Sequence, residues 1–285
     1  MMPRLVAGIG AGTMGHGIAY AASLAGHRVA LTDADPRMLE RGVAQVYRAF
    51  DKAVERGKCD VQDRDEALRR IAPVSTAEEA AVGADLVIEA IPERLPLKQA
   101  LFAKLERVVR PDTLLASNTS SLSITEIAGV LTNRNRMVGL HFFNPVPVMK
   151  LIEVVRGRET AADTIEQARW FAESLGKTPI VVRDSPGFAS SRLGVVLGLE
   201  AIRMLEQEVA SAEDIDRAME LGYNHPMGPL RLTDVVGLDV RLAIAEHLHA
   251  TLGDDTYRPP LLLRRLVSEG KLGKKSRQGF YRWEE

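Results

Sequence analysis

At 285 residues the chain is longer than one ordinary globular unit of roughly 100 to 200 residues, and it is read as two domains. Hydrophobic residues make up 46% and charged residues 26%, which excludes a disordered chain. With 37 Lys plus Arg against 38 Asp plus Glu the net charge is -1, so no overall field draws the protein toward nucleic acid or an anionic membrane, and any anion site must be local. The single cysteine, Cys59, has no partner within the chain, which suits a reducing, cytoplasmic setting. Glycines at 8, 10, 12, 15, 17 and 26 interrupt the opening stretch, so a secretory leader is not expected; elsewhere no apolar run reaches the roughly 18 residues of a membrane span.

The first elements read as strand, turn and helix. Residues 5–8 are apolar and run into glycines, and Met14, Ile18, Ala22 and Ala25 then recur at helical spacing up to Gly26. Residues 28–33 form a second apolar run ending in a carboxylate, the pattern of a parallel strand buried on both faces. Pro36 can open a helix that continues to about 56, and Gly57 separates it from another at 62–71, giving an inserted helical hairpin. Strands are expected at 85–91, 113–117, 137–141, 150–155 and 178–183, with helices at 95–109 and 161–175. This alternation implies a doubly wound, mostly parallel sheet.

Beyond Ser185-Pro186-Gly187 the pattern turns all-helical. Residues 188–207 form one long helix whose apolar positions occupy most of its circumference, so it has to be covered all round. Further helices are expected at 211–221, where Ser211 and Asp214 have capping-box spacing, and at 234–251. A last helix and a glycine-containing tail, 272–285, follow the break at Pro259-Pro260. The domains are placed at 1–184, a dinucleotide-binding Rossmann domain, and 185–285, an all-α C-terminal domain for substrate and dimerisation.

Gly10-Ala11-Gly12-Thr13-Met14-Gly15 matches G-x-G-x-x-G immediately after a strand and at the start of a helix. The first glycine allows the tight turn, the second lets backbone approach a pyrophosphate, and the third lets helix and strand pack closely. Asp33 lies 23 residues after Gly10, near the offset of about 20 for a carboxylate that holds ribose hydroxyls. Asp35 adds a second negative charge, so NAD is favoured over NADP.

From His141-Phe-Phe-Asn144-Pro-Val-Pro147 onward the sequence resembles the 3-hydroxyacyl-CoA dehydrogenase family. The similarity covers nearly the whole chain through Ile88-Glu-Ala-Ile91 with Glu93, Ala116-Ser-Asn-Thr-Ser-Ser121, Lys150-Leu-Ile-Glu153, Asp184-Ser-Pro-Gly-Phe188, His225-Pro-Met-Gly-Pro229, Gly273-Lys-Lys-Ser276 and Gly279-Phe-Tyr281. It implies that His141 is a catalytic base, and the residues alone permit Glu153, on a neighbouring strand, to orient its ring. It implies substrate and cofactor contacts at Ser120 and Asn144, and cofactor contacts at Glu93, Lys98 and Lys275. Lys52 and Arg56, four residues apart on the hairpin, correspond to the family's basic residues for coenzyme A phosphates.

One departure is Ser191, which stands where the family often has Asn before the next Arg. The expected activity is reversible NAD-dependent oxidation of an (S)-3-hydroxyacyl-CoA, with short chains such as 3-hydroxybutyryl, and no metal. Two alternatives are a dehydrogenase of a free hydroxy acid or sugar acid, like the lambda-crystallin and gulonate dehydrogenase branch, and a non-catalytic NAD-binding structural protein. The all-round apolar helix leads to the expectation of a homodimer through the C-terminal domain.

Overall fold

The computed structural model describes residues 4–284. The chain divides into two compact units, Met1–Ser185 and Pro186–Glu285. The first alternates strands and helices in chain order: β1 (Leu5–Ile9), α1 (Gly15–Leu24), β2 (Arg28–Thr32), α2 (Pro36–Glu55), α3 (Val61–Arg69), β3 (Ile71–Pro73), α4 (Ala77–Ala81), β4 (Leu86–Glu89), α5 (Leu95–Leu105), β5 (Leu114–Ser117), α6 (Ile124–Ala128), β6 (Met137–Phe142), β7 (Leu151–Arg156), α7 (Ala162–Ser174) and β8 (Thr178–Arg183).

These strands form one eight-stranded sheet in the order β3-β2-β1-β4-β5-β6-β7-β8. Every neighbouring pair is parallel except β6 and β7, which are joined by the turn 143–150. A short turn permits only an antiparallel return, whereas each parallel step needs a crossover. Val6, Leu31, Leu86, Ile88, Leu114 and Leu140 are buried, which is why the central strands read as unbroken apolar runs. The chain order reverses between β1 and β4, and in such a sheet the crevice at that switch point, outside the carboxyl ends of the strands, is where ligands bind.

Three short elements escape the sequence pattern: β3, α4 and α6. Ile71, expected in a helix, instead pairs with Val29 on β2, and Pro73 sits on the sheet edge, where its missing N–H breaks no ladder. The hairpin is formed by α2 and α3. Asp35 caps α2 by accepting from Arg37 N–H, with Pro36 in the first turn, and Asp60 caps α3 by accepting from Asp63 N–H.

The second unit contains α8 (Ser190–Glu206), α9 (Ala212–Gly222), α10 (Pro229–Val236), α11 (Leu238–Leu252) and α12 (Leu261–Ser268) around a core of Val195, Leu199, Ile202, Leu230, Leu238, Leu248 and Leu263. The helix expected at 234–251 is two helices. Gly237, at φ 104°, ends α10 and turns the chain into α11 through a conformation that only glycine adopts without strain. The long helix starts at Ser190 rather than at 188, because Phe188 has φ 47° and lies outside it. Ser211 caps α9, its Oγ accepting from Asp214 N–H at 3.1 Å and donating to the Asp214 carboxylate at 2.9 Å. The tail is pinned by buried Asp234, which accepts from Phe280 N–H, Tyr281 N–H and the Trp283 indole at 2.8–3.0 Å. Cβ atoms at Gly273 or Gly279 would fall within 2.3 Å of Asp234, which explains both tail glycines.

Candidate active site

At the carboxyl end of β1, Gly10 turns the chain at φ 100°, and a Cβ there would stand 2.6 Å from the carbonyl oxygen of Ala90. A Cβ at Gly15 would lie 1.7 Å from the Gly10 oxygen, so the third glycine lets α1 start directly against the turn. Nothing stands within 4 Å of the Cβ position at Gly12, leaving its backbone approachable by another molecule. The first amides of α1 lack intrahelical acceptors by helix geometry, and that end of the helix favours negative charge. Asp33, at the end of β2, is held by its own acceptors: Oδ2 takes Ala11 N–H at 2.8 Å and Oδ1 takes Asp35 N–H at 3.0 Å. The nearby Arg37 is turned onto Asp35, which neutralises it as a clamp for a 2'-phosphate. The turn, the open backbone and the fixed acid fit a dinucleotide with an unphosphorylated ribose.

Across the switch point, β4 and β5 end in a charged network. Lys98 is 1% exposed, so it is not a solvated surface charge. Its Nζ lies 2.5 Å from Glu89 Oε1 and 3.2 Å from Glu93 Oε2. Glu89, fully buried, also accepts from Ser117 Oγ at 2.6 Å and Ile91 N–H at 2.8 Å. Burial raises its carboxyl above the ordinary range, opposed by the Lys98 ammonium and these hydrogen bonds. Glu93 is drawn the other way: burial pushes it up, but Thr119, Lys98 and Ser120 N–H outweigh that and hold it low. Its Oε1 gathers Thr119 Oγ1 at 2.5 Å, Ser120 N–H at 2.9 Å and Ser121 N–H at 3.1 Å, fixing the loop that presents Ser120. Glu89 was not singled out from the sequence, although its place inside the Ile88–Ile91 apolar run is the signal of a carboxylate that needs a buried partner.

His141 and Glu153 are directly opposed in the antiparallel β6–β7 pair. Residues so opposed project to the same face of a sheet, and here the His141 Nδ1–H donates to Glu153 Oε2 at 2.7 Å. Both are buried, at 7% and 0% exposure. The Phe143 ring lies 4.5 Å from the imidazole, centre to centre. Asn118, at the end of β5, accepts from Phe142 N–H at 2.9 Å and ties β6 to its neighbour. The turn carrying Asn144, which is exposed, is held by Lys177, whose Nζ donates to the carbonyls of Val146 at 2.6 Å and Met149 at 2.7 Å. A Cβ at Gly17 would lie 2.9 Å from Val146 Cβ, so a fourth glycine seats this turn on the helix that follows the glycine turn.

The remaining candidates lie elsewhere. Lys52, in the last turn of α2, and Arg56, its C-cap, are exposed with no carboxylate partner among the described residues. In the second unit Lys275 pairs with Asp239, Nζ to Oδ2 at 2.6 Å, and Ser191 lies in the first turn of α8. Cys59 is buried, and burial with Asp63 and Asp60 nearby raises its thiol, the opposite of what a nucleophile needs.

A mostly parallel sheet with this glycine turn and an acid closing β2 is the form of a dinucleotide-binding domain, the class to which NAD-dependent dehydrogenases belong. The model of the 3-hydroxyacyl-CoA dehydrogenase NAD-binding domain matches residues 5–185, and that of the 3-hydroxyacyl-CoA dehydrogenase C-terminal domain matches residues 187–283. A probable 3-hydroxybutyryl-CoA dehydrogenase of Bacillus subtilis (strain 168) is 48% identical over 276 residues, 97% of this chain and 96% of that protein. The mitochondrial hydroxyacyl-coenzyme A dehydrogenase of Homo sapiens is 43% identical over 281 residues, 96% of this chain and 90% of that one. The crystal structure of (S)-3-hydroxybutyryl-CoA dehydrogenase from Ralstonia eutropha has a TM-score of 0.94 at 40% identity, covering 99% of this chain and all of the other. The chain belongs to the 3-hydroxyacyl-CoA dehydrogenase family and is an NAD-dependent oxidoreductase.

Proposed function

We propose that the protein reversibly oxidises (S)-3-hydroxyacyl-CoA thioesters, with short acyl chains such as 3-hydroxybutyryl, using His141 as general base. The observation that carries this reading is the buried 2.7 Å contact between His141 Nδ1 and Glu153 on facing strands. With Nδ1–H directed at the carboxylate, Nε2 is the nitrogen that takes the proton of the substrate alcohol, and Glu153 stabilises the imidazolium that results. NAD, held by Gly10 to Gly15 and Asp33, would supply the acceptor for the hydride that leaves the carbon bearing that alcohol. Ser120, steadied by Glu93, and Asn144 hydrogen-bond the reacting oxygen and the nicotinamide carboxamide. Gly10 to Gly15 and Asp33 hold the dinucleotide, and Glu93, with buried Lys98 behind it, borders it.

Exposed, unpaired Lys52 and Arg56 favour a phosphate-bearing coenzyme A thioester over a free hydroxy or sugar acid. Residues 1–184 serve as the dinucleotide domain and 185–285 as the domain that joins two chains into a homodimer. Among the described residues no helix is long and apolar enough to cross a membrane, and the lone buried cysteine suits a cytoplasmic enzyme. The test is NADH consumption with acetoacetyl-CoA: the wild type turns over, and His141→Ala loses about 100-fold or more in kcat, the low end of general-base contributions. Turnover by His141→Ala at the wild-type rate would remove the mechanism.

A further inference from the structure

Lys177 lies just beyond α7, and the way that helix stops decides where the lysine goes. Gly176, at φ 67°, closes the helix in the left-handed conformation, with Gly176 N–H donating to the Glu173 carbonyl at 2.9 Å and Lys177 N–H to the Ala172 carbonyl at 3.1 Å. Thr178 N–H then donates to the Lys150 carbonyl at 2.7 Å, the first rung between β8 and the end of the turn 143–150. The backbone at Lys177 is therefore fixed on both sides. Its side chain runs across to that turn, where Nζ donates to the carbonyls of Val146 at 2.6 Å and Met149 at 2.7 Å.

Lys177 is half-buried, no carboxylate pairs with it among the described residues, and burial alone lowers its pKa from the ordinary lysine value. A lysine whose ammonium reaches open solvent avoids that cost, so the placement is explained by what the ammonium holds. The turn has little of its own to hold it. Pro145 and Pro147 have no N–H, and the bonds within the turn, from Val148 N–H at 2.9 Å and Met149 N–H at 3.0 Å, both end on the Pro145 carbonyl. The Val146 and Met149 carbonyls take their donor from Lys177 instead. Asn144 stands on this turn, between His141 on β6 and Val146, which is seated on Gly17.

We propose that Lys177 is a positioning residue of the reaction: by tying the Val146 and Met149 carbonyls together, its ammonium sets where Asn144 stands relative to His141. The inference rests on the contacts given to Asn144 above and adds the group that keeps Asn144 in place to make them. A neutral side chain of similar length cannot substitute, because only an ammonium brings three N–H donors on one atom with no acceptor for the carbonyls to repel. Lys177 also lines a pocket of about 270 Å³ together with Tyr20, Leu24, Pro147 and Leu175. A small cation from solution can therefore take up the space that a shortened side chain vacates.

The test is NADH formation from 3-hydroxybutyryl-CoA at saturating NAD, in full chains carrying Lys177→Met, Lys177→Ala, Asn144→Ala, and Lys177→Ala together with Asn144→Ala. Lys177→Met keeps the aliphatic stem and is expected to match the wild type in circular dichroism while kcat falls about tenfold or more, since a misplacement of about 1 Å can cost about 100-fold. In Lys177→Ala, n-propylammonium supplies the missing atoms from Cγ to Nζ. It is expected to recover kcat saturably and to raise the melting temperature by about 2 °C or more, whereas n-propanol does neither and the wild type responds to neither. With Asn144 already replaced, Lys177→Ala is expected to cost less than about twofold more, because the two changes act through one contact. Wild-type kcat in Lys177→Met, no recovery with propylammonium, or a full additional loss in the double variant each overturns the inference; with Asn144→Ala impaired, the reading of Asn144 stands in all three cases. Asn144→Ala with wild-type constants overturns that reading and the inference with it.

Discussion

Replacing Glu153 by Gln isolates what the carboxylate does for His141. The amide keeps the volume, and its oxygen still accepts from Nδ1–H across the 2.7 Å contact, so ring orientation survives while the negative charge disappears. A hydrogen bond to a charged group contributes about 1.5–3 kcal/mol and a neutral one about 0.5–1.5, so the substitution removes about 1–2 kcal/mol from the state in which His141 is protonated. With both residues buried, the upper part of that range applies. At about 1.36 kcal/mol per decade, kcat for oxidation of 3-hydroxybutyryl-CoA, the direction in which His141 gains the proton, falls roughly tenfold to thirtyfold, with the KM for the thioester within about twofold of wild type. The assay is steady-state NADH formation at saturating NAD, with the melting temperature measured alongside. Glu153→Ala also strands the Nδ1–H donor and opens a cavity, so it should lose more activity and melt lower. A Gln variant with wild-type kcat, or one altered only in KM, would show that Glu153 does not support proton transfer.

Three further outcomes follow from the same geometry. Lys98→Met leaves Glu89 buried and unpaired, and urea unfolding should show a loss of about 3–5 kcal/mol; pairing it with Glu89→Gln should recover much of that, and equal stability of the single and double variants would contradict the coupling. Gly12→Val has open space and should fold with wild-type secondary structure while the KM for NAD rises at least tenfold, whereas Gly15→Ala collides with the Gly10 carbonyl and should lower the melting temperature; the opposite pattern would contradict the assignment of the turn. Burial, aided by Arg4, lowers the pKa of His27, whose Nδ1 has no partner. The unfolded chain therefore binds a proton near pH 6.5 that the folded chain resists, so this stability is complete above pH about 6.5 and is lost as pH falls through the folded value; His27→Gln should flatten the dependence seen between pH 7.5 and 5, and an unchanged slope would exclude His27 as its source.

The elements visible in the sequence are those whose apolar period is long enough to average over. β1, β2 and β4 to β7 stand out because burial of both faces makes their apolar runs continuous, β8 stands out by its apolar residues 179–182 although it is largely exposed, and the glycine fingerprint is local by nature. β3, α4 and α6 have three to five residues each, less than two helical turns, and their existence is decided by a neighbour: β3 by the free edge of β2, α6 by the cap that Ser123 gives it together with Asp184. Gly237 shows the same limit from the other side. The apolar pattern runs through 234–251 without interruption, and only the positive φ at one glycine divides it. At the site, His141 with Glu153 was readable because the turn between two strands sets their register. Asn118, Lys177 and Gly17 were not, because each acts across 24 to 129 residues of sequence on a backbone atom or a Cβ, and no pattern of residue types records such a contact.

The single antiparallel step in the sheet explains why the chemistry can be so local. Had β7 followed β6 through a parallel crossover, Glu153 would reach the level of His141 only after a further helix, with register set by two loops. The short turn instead opposes the two residues directly, and the same turn rests on α1 through Val146 and Gly17. The helix that begins at the glycine turn, the turn bearing Asn144 and the base with its acid are therefore parts of one packed body. A change in the packing of Val146 reaches both the dinucleotide helix and the proton-transfer pair, so enlarging Gly17 to Ala, which places a Cβ 2.9 Å from Val146, should raise the KM for NAD and lower kcat together. An effect on only one of the two constants would show that the turn and the helix move independently.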